Sequence, residues 1–190
     1  YKYGIPRNCI PNDRNLAEFI RVGGESAQHR ESFTDVQLKR IKEQIGKVYG
    51  AEYVYCLCYL GYRPSELLAI KNDQYNSEKG AIYGAGSKTA AGINRVVTVS
   101  PKIKCYIDAM SMTGKCLVSD QNGEPYQLKH FTETVFYPVL EAAKIENPTV
   151  DNGRHKYSPH SCRHTFSTLI KNIDAPSKDK LELIGHSSEE

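Results

Sequence analysis

Ser158-Pro159 marks a helix start that constrains the segments around it. Serine is a favoured N-cap. Proline is a favoured first helical residue, because the N–H it lacks is one that a first turn leaves unbonded anyway. Phe166, Leu169, Ile170 and Ile173 follow at helical spacing, so this helix is expected to bury a stripe. Its first turn carries His160 and Arg163, three residues apart and on one face. Backbone N–H groups and the positive end of the helix dipole favour an anion at such a place. An imidazole and a guanidinium added there suit a phosphate or a carboxylate. On its own, His-x-x-Arg is usually no more than a solvated basic helix start, so its meaning depends on the rest of the chain.

Residues 1–31 read as a tail and linker, broken by Pro6, Pro11, Gly23 and Gly24, with one short docked turn at Leu16, Phe19 and Ile20. The sequence opens on Tyr1 rather than methionine, which suggests a start inside a longer protein. Thr34-Asp-Val-Gln37 reads as a capping box with Phe33 as its staple, and Leu38, Ile41 and Ile45 give the apolar face of the helix that follows. A second helix is expected from Ala51 to Leu60, stopped by Gly61. Pro64 then opens another, which places Arg63 at its entrance. Glu66 lies three residues on and can brace that guanidinium with both oxygens. As an isolated surface pair the two would be worth little.

Ala81 to Ser100 reads as a β-hairpin with arms Ala81–Ser87 and Arg95–Val99 and a turn containing Gly92. Lys88 sits where the first arm meets the turn, a position where lysine is usually a solubilising charge. Gly84 and Gly86 are unusual in a strand and suggest a close approach by a backbone or a ligand. Beyond it the pattern predicts a helix over Pro101–Met110, a short buried strand at Cys116–Val118 and a turn at Asp120–Gly123. A helix over Phe131–Lys144 kinked by Pro138 and a polar loop over Ile145–Tyr157 follow. After the Ser158 helix come a short helix over Lys178–Ile184, a C-cap at Gly185, and His186. Ser187 to Glu190 looks like the start of one more helix.

Composition narrows the class. The chain has 190 residues, 39% hydrophobic and 25% charged, which suits one domain with a sizeable core. No apolar run is long enough to span a bilayer and no secretory leader is recognisable. Several cysteines sit inside apolar periodic segments, which suggests reduced core residues in a cytoplasmic protein. The formal net charge of +3 permits nucleic acid as a partner without requiring it. The six cysteines show no disulfide spacing, and the grouping of His155, His160, Cys162 and His164 matches no zinc signature. Clustered acidic metal ligands are missing, which argues against a two-metal nuclease. A glycine-rich phosphate loop ahead of a helix is missing too, which argues against an NTPase.

What remains is a set of five cationic or potentially cationic side chains, Arg63, Lys88, His160, Arg163 and His186, each on an element with its own apolar anchor. Converging, they would cradle a phosphodiester and stabilise charge on its non-bridging oxygens. Three segments, Gly61-Tyr-Arg63-Pro-Ser-Glu66-Leu, His160-Ser-Cys-Arg163-His-Thr-Phe and Leu183-Ile-Gly-His186-Ser-Ser, resemble in order and spacing the motif boxes of the tyrosine recombinases, the phage-type integrases. The wording of the boxes is similar to integrases of bacterial phages and conjugative transposons.

The resemblance implies a mixed, mainly α fold with a small antiparallel β-sheet or hairpin, the DNA breaking-rejoining fold of the family's catalytic domain. That domain would occupy residues 32–190, and residues 1–31 would be the linker from a preceding DNA-clamping domain. It implies site-specific recombination or integration through a 3′-phosphotyrosyl intermediate, with no cofactor and no metal. The partner would be double-stranded DNA, on which the family assembles as tetramers, with a monomer expected in solution and a location at the bacterial nucleoid. By motif position, Arg63 and Arg163 would clamp the scissile phosphate and Glu66 would brace Arg63. Lys88 would protonate the leaving 5′ oxygen, His160 would give acid–base support, and His186 would bond a non-bridging oxygen. The family's nucleophilic tyrosine lies several residues past the position of His186. All thirteen tyrosines here precede it, so the expectation is a catalytic domain cut before its nucleophile helix and inactive by itself. A non-catalytic DNA-binding remnant regulating a mobile element and a type IB topoisomerase are the alternatives.

Overall fold

The structure is a computed structural model, and it describes residues 31–85, 95–150, 153–174 and 176. Its centre is α2 (Ala51–Leu60), a helix between two left-handed glycines, Gly50 at φ 75° and Gly61 at φ 67°. Its sequence, AEYVYCLCYL, is apolar on nearly every side, and such a helix has to be surrounded. α1 (Asp35–Lys42), α4 (Lys104–Ser111), the middle of the 128–142 helix and α7 (Pro159–Lys171) all pack on it.

Local signals account for most of these elements. α1 starts at the expected capping box: the Gln37 N–H donates to Thr34 Oγ1 at 3.3 Å, and the Thr34 N–H donates to Gln37 Oε1 at 2.9 Å. Phe33 is buried ahead of it and stacks on Tyr157, with ring centroids 4.7 Å apart. α3 (Pro64–Leu68) follows Gly61 closely, with Pro64 in its first turn and Arg63 as N-cap. α4 buries Ile107 and Met110 as expected. It starts at Lys104, because the Ser100 carbonyl accepts from both Ile103 and Lys104 and closes a turn first.

The sheet has three antiparallel strands, β1 (Tyr75–Asn76), β2 (Ala81–Ala85) and β3 (Arg95–Thr98), in the order β1-β2-β3. β2 and β3 are the expected hairpin arms, and the tip, with Gly86 and Lys88, lies outside the described residues. Ile82 pairs with Val97 and Ala85 with Arg95, with a register irregularity between them. Gly84 sits in that irregularity at φ 69°, and its carbonyl accepts from Gln74 Nε2 at 3.3 Å. The close approach expected at Gly84 is therefore a neighbouring side chain folded over a bulge. β3 alternates buried and exposed, so Arg95 faces inward with Val97. The Tyr75 and Ser77 hydroxyls donate to Asp108 Oδ1 at 2.7 and 2.6 Å and tie the sheet to α4.

Three expectations between Cys116 and Tyr157 need correction. Cys116–Val118 is no strand: Cys116 makes a single bridge with Lys71, and the Leu117 N–H donates to the Ile70 carbonyl at 2.9 Å. The helix expected over 131–144 starts earlier and is not simply kinked: α5 (Leu128–Phe131) passes through a π-turn, Thr132–Phe136, into α6 (Tyr137–Ala142). Pro138 cannot donate to the carbonyl four residues back, and the Tyr137 N–H bonds Thr132 O, so the turn before the proline widens. The loop over 145–157 contains a small antiparallel pair, β4 (Thr149–Val150) with β5 (Arg154–His155). Asn147 braces it by accepting from the Tyr157 N–H at 2.6 Å and donating to the Tyr157 carbonyl at 3.1 Å.

α7 starts at Ser158-Pro159 as read from the sequence, but its buried face differs. Ser161, Cys162, Arg163, Thr165 and Ile170 are buried, while Ile173 is 56% exposed. Small side chains let α7 approach α2 closely, and Cys162 Sγ lies 3.9 Å from the Val54 carbonyl. Thr165 Oγ1 donates to the Ser161 carbonyl and accepts the Phe33 N–H, both at 2.8 Å, which docks the entrance of α1 onto α7. Cys56, Cys58, Cys116 and Cys162 are buried free thiols, and Cys105 is an exposed one. No helix among the described residues is long and apolar enough to cross a membrane.

Candidate phosphate-binding site

The site forms where α2 ends and α3 begins. Gly61 turns the chain in the left-handed region, and a side chain there would be driven into the Phe166 ring of α7. The turn places Arg63 at the N-cap of α3 with its side chain 23% exposed. Glu66 binds it twice: Oε1 accepts from Arg63 Nη1 and Oε2 from the Arg63 N–H, each at 3.0 Å. The expected brace is present. It runs through one guanidinium nitrogen and the main chain, which fixes backbone and side chain together.

Arg163 comes from α7. It is the fifth helical residue, so it opens the second turn rather than completing the first, and it is only 8% exposed. Its Nη1 donates to the Gly61 carbonyl at 2.7 Å. Part of the guanidinium is thus used to hold the α2–α3 connection. His160 lies in the first turn of α7 and is half-buried. The Ser158 N–H donates to Ser161 Oγ at 3.2 Å, so the helix start is capped from inside the helix rather than by the Ser158 hydroxyl.

Arg95 is a residue that sequence reasoning missed. It enters from β3, is 8% exposed, and places Nη2 3.8 Å from Glu66 Oε2. Its guanidinium carbon lies 4.6 Å from the centroid of the fully buried Tyr62 ring, within cation–π range. The available signal was its phase: a cation at an alternate position with Val97 and Val99 faces the core.

Each residue of the Gly61-Tyr62-Arg63 connection is therefore held by a charged group from another element or turn. Arg163 holds the Gly61 carbonyl, Arg95 the Tyr62 ring, and Glu66 the Arg63 amide and guanidinium. Burial presses Arg163 down to about 10, and the Arg63 and Arg95 guanidinia add to that while Glu66 opposes it. Arg95 is lowered too, by burial first and then by Arg63, against Tyr62 and Glu66. Both buried arginines stay charged at neutral pH. Three guanidinia around one carboxylate leave an excess of positive charge in a partly desolvated place, which favours an anion beside it.

Tyr157 precedes α7, but it is 3% exposed, stacked on Phe33, and hydrogen-bonded through its hydroxyl to Gln37 Nε2 at 3.1 Å. It belongs to the core. Lys88 and His186 lie outside the described residues. No group of three or more His, Cys, Asp or Glu side chains among the described residues could hold a metal ion.

No family model matches the chain. The curated tyrosine recombinase XerA of Thermococcus kodakarensis is 28% identical over 133 residues, 67% of this chain and 43% of that protein. Tyrosine recombinase XerD of Chlamydia pneumoniae is 29% identical over 136 residues, 67% of this chain and 41% of that protein. The chain thus spans about two fifths of the length of these curated relatives. Among solved structures, the Tn1549 transposon integrase in complex with a circular intermediate DNA superposes with a TM-score of 0.70 and 19% identity, covering 97% of this chain and 67% of that one. The chain has the fold of a tyrosine-recombinase catalytic domain and is similar in sequence to two curated tyrosine recombinases.

Proposed function

We propose that residues 32–190 belong to the catalytic domain of a site-specific recombinase or integrase that breaks and rejoins double-stranded DNA through a phosphotyrosyl intermediate. The observation that carries this reading is the convergence of Arg63 and Arg163 on one short connection, beside a single carboxylate. Guanidinium pairs match a phosphodiester's non-bridging oxygens in geometry and charge, and lysine would not reproduce the bidentate contact.

In this reading Arg63 and Arg163 hold the scissile phosphate, and Glu66 keeps Arg63 in place. A tyrosine hydroxyl gives up its proton as its oxygen attacks phosphorus, the bond between phosphorus and the 5′ oxygen breaks, and Lys88 gives a proton to that leaving oxygen. His160 supports proton transfer at the nucleophile, and His186 bonds a non-bridging oxygen. The bond energy is kept in the 3′ phosphotyrosine, so rejoining consumes no nucleotide. The partner is double-stranded DNA, on which four copies assemble; the free protein is a monomer at the bacterial nucleoid. The DNA complex of the structurally similar transposon integrase supports the choice of partner.

Two measurements test this. The chain should bind duplex DNA with an affinity that falls steeply with salt, by a slope of about −0.9 per phosphate neutralised. Arg63→Ala and Arg163→Ala should each weaken it about tenfold or more. An affinity insensitive to salt and to both substitutions would refute the phosphate site. The product of the complete reading frame, mixed with duplexes carrying the element's ends, should form a protease-sensitive covalent adduct. Binding with no adduct would favour a DNA-binding remnant.

A further inference from the structure

Glu66 holds Arg63 through both oxygens, yet its side chain is only 6% exposed and it sits on a helix of five residues. A buried carboxylate on so short an element needs more than one partner to stay oriented. The need grows when a phosphate engages Arg63, because two anions then share that guanidinium. Arg95 meets it from β3, with Nη2 3.8 Å from Glu66 Oε2 and its guanidinium carbon over the Tyr62 ring.

We propose that Arg95 is a positioning residue of the phosphate clamp: from β3 it holds the Oε2 side of Glu66, so that Oε1 stays on the Arg63 guanidinium. It acts on the phosphate through Glu66 and Arg63. Arg95 also begins the strand that returns from the hairpin. It therefore couples the placement of that hairpin to the placement of the clamp. The inference rests on the phosphate-site reading above.

The test is a binding cycle. The affinity of the chain for a labelled duplex is measured for wild type, Arg63→Ala, Arg95→Gln, Arg95→Lys and the Arg63→Ala/Arg95→Gln double variant. Circular dichroism at the assay temperature checks that each is folded. Arg95→Gln should weaken binding about two- to fivefold, the scale of a buried ion pair at 3.8 Å acting through Glu66 rather than of a direct hydrogen bond. Arg95→Lys should recover part of that loss, because the charge remains while the guanidinium contact with Tyr62 is lost. In the Arg63→Ala background Arg95→Gln should add less than about twofold, because its route to the phosphate is gone. If Arg95→Gln does not fold, the same cycle with Arg95→Lys carries the test, with the same non-additivity expected.

Wild-type affinity in the Arg95 variants beside a weakened Arg63→Ala would overturn the proposal. So would losses that multiply in the double variant, which would make Arg95 an independent contact. If Arg63→Ala itself binds like wild type, the phosphate site falls, and the role of Arg95 falls with it. That result differs visibly from a failure of Arg95 alone.

Discussion

Gly61→Ala is the substitution whose consequence follows most directly from the structure. Gly61 stands at φ 67°, where an L side chain costs about 1–2 kcal/mol. A Cβ built there would also collide with Cγ, Cδ1 and Cε1 of Phe166, the farthest of them, Cγ, only 2.8 Å away, where ordinary contact begins at 3.4 Å. Cγ is the root of the ring, so no small rotation relieves the clash. α7 or the connection has to move, at the 1–3 kcal/mol or so typical of overpacking. The sum is about 2–5 kcal/mol, a large share of the roughly 5–15 kcal/mol that holds a domain together. For a domain of this size that lowers the melting temperature by about 4–20 °C. Gly46→Ala is the control: Gly46 has φ 79° and nothing within 4 Å of the point a Cβ would occupy, so it isolates the backbone penalty. Urea unfolding of both, with the m-value checked for constancy, gives the clash by difference. Phe166→Leu placed in the Gly61→Ala chain should restore part of the loss. Equal destabilisation by Gly46→Ala and Gly61→Ala, with no rescue by Phe166→Leu, would refute the reasoning.

Arg163→Ala should lower stability by about 1.5–3 kcal/mol, the range for a charged hydrogen bond, because the Gly61 carbonyl loses its donor. The partly exposed Arg63→Ala should cost less in the same melting experiment. Thr165→Val should cost about 1–2 kcal/mol by leaving the Phe33 N–H buried without its acceptor, whereas Thr165→Ser should be nearly neutral; thermal unfolding separates them. Asp108 is held down to about 2 by hydrogen bonds from Lys104, Ser77 and Tyr75. A depressed carboxyl stabilises the fold above its ordinary value of 3.8 and ceases to as pH falls through 2. The stability gap between wild type and Asp108→Asn should therefore be full at neutral pH and close between about pH 4 and 2, read by unfolding across that range.

The features legible in the sequence are those set within one turn of chain. The box at Thr34 and Gln37, the left-handed stop at Gly61, the Arg63–Glu66 brace and the Ser158-Pro159 start each depend on one residue or on residues no more than three apart. What escaped depends on distant partners. The stripe of large apolar residues in α7 pointed to Ile173, which is exposed, and away from Ser161, Cys162 and Thr165, which are buried. Periodicity reports where bulk lies. It does not report that α2, apolar all round, invites a close approach by small side chains. Pro138 signalled a break, but whether the turn before it kinks or widens is decided by which carbonyl the Tyr137 N–H reaches.

Arg95 shows the same limit at the site itself. Its inward phase could be read, but not its partner, because strand register across the irregularity between Ile82 and Ala85 decides whether it meets Glu66. Geometry at the clamp is therefore a property of three elements meeting on Gly61-Tyr62-Arg63. α7 holds the first residue, β3 the second, and the first turn of α3 the third. None of these supports is close in sequence to both others, so the two guanidinia reach their working arrangement only once α7 and β3 have docked against the α2–α3 connection. Binding competence and tertiary packing should then be lost together on unfolding. An isolated α2–α3 peptide, which keeps Arg63 and Glu66, should not retain the site.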